Sequence, residues 1–235
     1  MFDQGQADLL IGSIDGVTEE KPRRTGRPPL TDRTTLLAAA RGIGFADLTV
    51  GTVTAKVGVK YSTFYRHFPS FEALLSAAVD EILAETEFPR PGQPWQKYLT
   101  QTSATLFLLL HQHPGMAQAI VALPERPARM VVLFREMTDQ LLEAGFTPRD
   151  TILAATGVFE LAILPWIDSP GTAPGGAVRR EQARVTPEPL DDRVRDAIVR
   201  SVDDPPTTWI AEKVDLLVDG LETRLARNRS AGPEA

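Results

Sequence analysis

The chain has 235 residues and a mass of 25.7 kDa, long enough for one large domain or two small ones. Apolar residues make up 43% of it and charged residues 24%, an ordinary globular composition that excludes wholesale disorder. There is no cysteine, which removes disulfide frameworks, thiol catalysis and thiolate metal sites, and the formal net charge of −6 conceals a strongly basic block.

Residues 1–20 carry five acidic side chains and no basic one, whereas residues 21–67 carry nine Lys/Arg against two Asp. A cationic block inside an acidic chain points to a local polyanion site. The acidic start is not the basic n-region of a signal peptide. Uninterrupted apolar runs such as Leu106 to Leu110 fall far short of the roughly 18–20 residues that span a bilayer. The expectation is a soluble cytoplasmic protein with no membrane partner.

Residues 1–30 form a tail in this reading, ending in the basic, Pro-rich stretch Lys21 to Pro29, which cannot continue a helix. Thr31 or Asp32 caps a first helix, with Leu36, Leu37, Ala40 and Ile43 at helical spacing before Gly44. Thr49 opens a short second helix that ends at Gly58, and a third runs from about Lys60 to His67. Pro69-Ser70 recaps the chain into a fourth helix, about Phe71 to Glu87. After a Pro-rich linker at 89–94, helices are predicted at Trp95–His111, Gly115–Val121, Pro127–Ala144 and Thr147–Ile167. Two more fall at Leu190–Val202 and Thr207–Asn228, after a Pro/Gly-rich loop. No segment alternates at period two, so the fold is all-α. Its parts are a tail at 1–30, a domain at 31–88 whose fourth helix is a linker, a domain at 89–228 with a mobile loop at about 169–189, and a tail at 229–235.

Two short helices joined by a Gly-containing turn, inside the one basic block, have the pattern of a helix-turn-helix. On the second of them Val59, Phe64 and Phe68 face inward, while Lys60, Tyr61, Ser62, Thr63, Tyr65, Arg66 and His67 face out. Cationic and hydroxyl side chains neutralise phosphates and reach base edges, and a helix fits the major groove, about 12 Å wide.

Leu48-Thr-Val-Gly-Thr-Val-Thr-Ala-Lys-Val-Gly-Val59, Ser62-Thr-Phe-Tyr-Arg-His-Phe-Pro-Ser70 and Glu72-Ala-Leu-Leu75 resemble the DNA-binding domain of the TetR family of bacterial regulators. Trp95 to Leu99, Leu141 to Phe146 and the helix after Pro148 are similar to the C-terminal domain of its tetracycline repressor group. The resemblance implies an N-terminal three-helix helix-turn-helix domain and a C-terminal helical ligand-binding and dimerisation domain. It implies a homodimeric repressor on a palindromic operator in double-stranded DNA, located at the nucleoid when bound. A small-molecule effector, apolar or amphipathic, would release it by shifting the fourth helix. The dimer would form through helices about 148–167 and 207–227.

Carried over by motif position, Thr49, Thr52, Lys60, Tyr61, Ser62, Thr63, Tyr65 and His67 are the expected DNA contacts, with Arg27 of the tail reaching a minor groove. Three departures stand out: the first helix is about one turn shorter than usual, Gly51 stands where an Arg contacts DNA, and Phe71 where a Lys contacts phosphate. The expected pocket residues are Phe107, His111, Met116, Phe134 and Phe159. The tetracycline repressors hold a magnesium-drug chelate with a His in the segment matching Pro114 to Ile120, where Ala119 or Ile120 stands here. His111 and His113, two apart on a helix, face different ways, so neither a metal nor a cofactor is expected. The motifs of nucleotide-binding loops, nucleophile elbows and zinc proteases are absent, so the chain is not expected to be an enzyme. The rival reading is a protein-interaction module whose degenerate helix-turn-helix no longer binds specific DNA.

Overall fold

The structure, a computed structural model, describes residues 31–167, 185, 191–203 and 206–231. The N-terminal tail with Arg27 lies outside the described residues, as does the loop expected at 169–189 apart from Val185. The described residues are helical, without strands: α1 (Arg33–Ile43), a 3-10 turn (Phe45–Asp47), α2 (Val50–Val57), α3 (Tyr61–His67), α4 (Phe71–Glu85), α5 (Trp95–Gln112), α6 (Met116–Ala122), α7 (Ala128–Glu143), α8 (Pro148–Ile167), α9 (Asp192–Asp203) and α10 (Pro206–Ala231).

The starts of the N-terminal helices are written in side chains that satisfy otherwise orphaned backbone N–H groups. Asp32 accepts from the Thr35 N–H at 2.7 Å, and Ser70 accepts from Ala73 at 3.2 Å. Thr49 and Thr52 form a reciprocal capping box on α2. Gly58 ends α2 at φ 74°, the left-handed turn that swings the chain into α3.

Two large apolar cores result, beside a small cluster of Phe107, Ile210 and Val214. Leu36, Leu37 and Ala40 of α1, Val53 of α2, Phe64 and Phe68 around α3 and Leu74, Leu75 and Ala78 of α4 make the first. The second runs from Val79, Ile82 and Leu83 of α4 through α5, α6, α7 and α8 to Leu221 and Leu225 of α10. Successive turns of α4 therefore serve both cores. So does α6: Ala119 and the following Leu123 pack into the first, and Met116, Ala117 and Ile120 into the second. Asp80 of α4 also accepts the backbone N–H groups of Ala128 and Arg129, which caps α7. The short α1 is tied down by Arg41, whose guanidinium bonds Glu85 at 2.6 Å and Glu81 at 3.4 Å on α4.

α8 has the length and mean hydropathy, 1.4, to cross a membrane. It is instead the central core helix, packed against α5, α6, α7 and α10, with Ala154, Ala155, Val158 and Ala162 fully buried. Its N-terminus is pinned to α10 through Asp150, which accepts from Arg224 at 2.5 Å, Thr147 at 2.9 Å and Asn228 at 3.3 Å. Burial raises the Asp150 pKa, but these three donors outweigh it and hold the carboxyl below its usual value of 3.8. A depressed carboxylate stabilises the fold above its unfolded pKa and loses that contribution as pH falls through the folded value. Asp150→Asn is expected to cost about 1–2 kcal/mol at pH 7. The difference from wild type, measured by urea denaturation, should shrink as pH drops below 3.8.

Candidate nucleic-acid interface and ligand cavity

The α3 helix is anchored by one face and free on the other. Phe64 and Phe68 are fully buried and stack at 5.8 Å, while Tyr61 and Tyr65 are 56% and 52% exposed. Ser62 and Arg66 are exposed beside them, Lys60 is exposed at the N-cap, and Thr63 and His67 are half-buried. The far end of α3 is clamped from α1, where the Arg33 guanidinium lies 4.2 Å from the Phe68 ring centre and donates to the His67 carbonyl at 3.2 Å. Arg33 is thereby committed to positioning the helix.

On α2 the exposed hydroxyls are partly engaged. Thr52 Oγ1 receives the Thr49 N–H at 2.9 Å and lies 3.1 Å from the Asp47 carbonyl, while Thr49 Oγ1 receives the Thr52 N–H. The capping box leaves these two threonines fewer free groups for DNA than the sequence pattern implied. Gly51 has a role that sequence reading missed. A Cβ built there would lie 2.8 Å from the Tyr61 hydroxyl, so the ring of Tyr61 leans across α2 into the space a side chain would fill. Phe71 is half-buried against the N-terminal core, and its position is given over to packing.

The C-terminal half holds a cavity of about 440 Å³ between α6, α7 and α8. Met130, Phe134, Phe159 and Ile163 line its interior and Val121, Val131 and Leu164 its exposed rim. The five expected pocket residues do not form one site. Phe134 and Phe159 line this cavity, their rings 6.4 Å apart and 25° from parallel. Phe107 and His111 instead gather around Trp166, at 4.8 and 5.3 Å, and Phe107 packs with Ile210 and Val214 of α10. Met116 is fully buried in the core. Helical spacing does not reveal that Phe107 packs toward α10 rather than into the cavity, or that His111 stays exposed. The sequence reading also missed Arg126 and Glu160, both of which line the cavity. Among the described residues no group of three or more His, Asp or Glu is placed to hold a metal ion.

Residues 36–78 match the family model of bacterial regulatory proteins, tetR family. The fold is similar to apo ActR from Streptomyces coelicolor, at TM-score 0.65 and 17% identity over 86% of this chain and 99% of that one. It is similar to BioQ of Mycobacterium smegmatis, at TM-score 0.62 and 22% identity over 83% and 99%. A TetR variant from Acinetobacter baumannii AYE in complex with minocycline matches at TM-score 0.58 and 19% identity over 83% and 98%. BioQ has also been solved with its double-stranded DNA operator. No curated protein sequence matches the chain. Residues 36–78 thus match the model of the tetR family of bacterial regulatory proteins, and the chain shares its fold along nearly the full length of those structures.

Proposed function

We propose that the protein is a transcriptional regulator that binds a palindromic operator in double-stranded DNA as a homodimer and is released by a small apolar or amphipathic effector held in the α6–α7–α8 cavity. The observation that carries this is α3. Its exposed face is tyrosine, serine, arginine and a neighbouring lysine, over an opposite face buried through Phe64 and Phe68. A helix presented this way suits a major groove, with Lys60, Tyr61 and Ser62 reading base edges and Tyr65, Arg66 and His67 on phosphate. Thr49, Thr52 and Thr63 flank it as secondary contacts. The DNA-bound BioQ structure supports the same use of the fold, and the minocycline-bound TetR variant supports a ligand in the C-terminal half.

Communication would run through the two helices that serve both cores. α6 supplies Ile120 and Val121 to the cavity wall and Ala119 to the N-terminal core, and α4 joins the cores directly. Half-sites one turn apart demand readers about 34–36 Å apart, so a shift of a few ångströms in α4 penalises binding. A coupling of about 1–3 kcal/mol changes operator affinity roughly 5–150-fold.

Lys60→Ala tests the reader. In fluorescence anisotropy with a duplex the protein selects, its affinity is expected to fall about tenfold, with relaxed preference at one base pair of each half-site. Wild-type affinity and preference in that variant would favour the degenerate interaction module instead.

A further inference from the structure

The mouth of the cavity has a polar feature that the apolar lining does not explain. Arg126 leaves the loop between α6 and α7, and its Nη1 donates to the Ile120 carbonyl at 3.1 Å. Ile120 is itself part of the cavity wall, so the guanidinium is tethered at the edge of the apolar space. Among the described residues no carboxylate lies within ion-pair range of it. Arg126 is exposed, and an arginine has five N–H donors in a planar fork, so one bond to a carbonyl leaves most of them to water or to a ligand at the cavity edge. Glu160, the cavity's other charged residue, sits on the exposed side of α8 with no ion-pair partner among the described residues. Only the arginine is held in place by a bond to the cavity wall.

We propose that the cavity recognises an amphipathic aromatic anion, its flat apolar body against Phe134 and Phe159 and its carboxylate, sulfonate or phenolate on Arg126. The nearly parallel rings offer flat walls, and the volume of about 440 Å³ suits a body of two or three fused or linked rings. The tethered fork supplies a bidentate anion site that needs little ordering when ligand arrives. Glu160 disfavours a second negative charge. This assignment rests on reading the cavity as the effector site, and the test separates the two.

The test titrates the full-length protein with two fluorescent probes that share a skeleton: anilinonaphthalene sulfonate, which is anionic, and N-phenylnaphthylamine, which is neutral. At low ionic strength the sulfonate is expected to bind about tenfold more tightly than the amine, the worth of a charge-assisted bond. Arg126→Gln should remove that advantage and leave the amine unchanged. Arg126→Lys should restore part of it, and Glu160→Gln should strengthen the sulfonate. Val131→Glu, at the exposed rim, should weaken the sulfonate alone and so locate it. Equal binding of the two probes, with neither moved by Arg126→Gln, overturns the anion site while leaving an apolar cavity. Failure of both probes to bind overturns the effector site and the anion assignment together.

Discussion

Gly115→Ala is expected to cost about 3 kcal/mol, lowering the melting temperature by roughly 6–12 °C for a chain of this size. Gly115 lies in the turn before α6, where a Cβ would approach the Ala46 backbone nitrogen to 2.6 Å and the Phe45 carbonyl carbon to 2.9 Å. These are backbone atoms of the 3-10 turn in the N-terminal core, and they cannot swing aside as a side chain can. The residue also sits at φ +86°, where a Cβ is strained by about 1–2 kcal/mol. Gly92 separates the two costs, since its φ is +95° but nothing lies within 4 Å of a Cβ there. Gly92→Ala should therefore show only the conformational part, and the remainder at Gly115 measures the contact between the α5–α6 turn and the N-terminal half. Thermal melts of the two variants that coincide would remove that contact from the account.

Leu153→Lys combined with Leu216→Lys is expected to leave a folded monomer that binds a full palindrome about 100-fold more weakly than wild type. Leu216 is 73% exposed and Leu164 60%, with Ile152, Leu153 and Trp209 also large, apolar and exposed on α8 and α10. The two helices run antiparallel, with Leu217 seated on Gly157 and Arg224 on Asp150, so their outer faces adjoin. Two such surfaces face to face would make a four-helix bundle, burying the roughly 800 Å² per partner of a standard interface. Because both leucines already face solvent in one chain, lysine there should cost the monomer little. Sedimentation equilibrium checks the first part, and duplex titration the second. A wild-type protein that sediments as a monomer at micromolar concentration, or a variant that remains a dimer, would contradict this.

Local structure was legible in the sequence because its causes are local. Asp32, Thr49 and Ser70 mark helix starts by the hydrogen bonds their side chains make three residues on, and Phe64 and Phe68 mark the inner face of α3 by spacing. Periodicity states which face of a helix is buried but not which neighbour covers it. For that reason the spacing of Phe107, His111, Met116, Phe134 and Phe159 suggests one pocket, whereas the fold divides them among a Trp166 cluster, the core and the cavity. The same limit hid Arg126, which earns its place through a carbonyl six residues away that only the fold aims at the cavity. Gly51 looked like a lost DNA contact. The structure shows a gap filled by Tyr61 from the next helix, a pairing across ten residues that no helical period encodes. The sequence placed α10 between Thr207 and Asn228, and the helix extends one residue earlier and on to Ala231.

In the proposed complex, α3 of each of two copies reads one half-site of a single operator. Selection of random duplex DNA by the purified full-length protein, with sequencing of what is retained, tests it most directly. The expected result is an enriched palindrome whose half-sites lie about one helical turn apart, roughly 10–10.5 base pairs centre to centre. Retention without sequence enrichment at low salt, from protein shown to be folded, would contradict it.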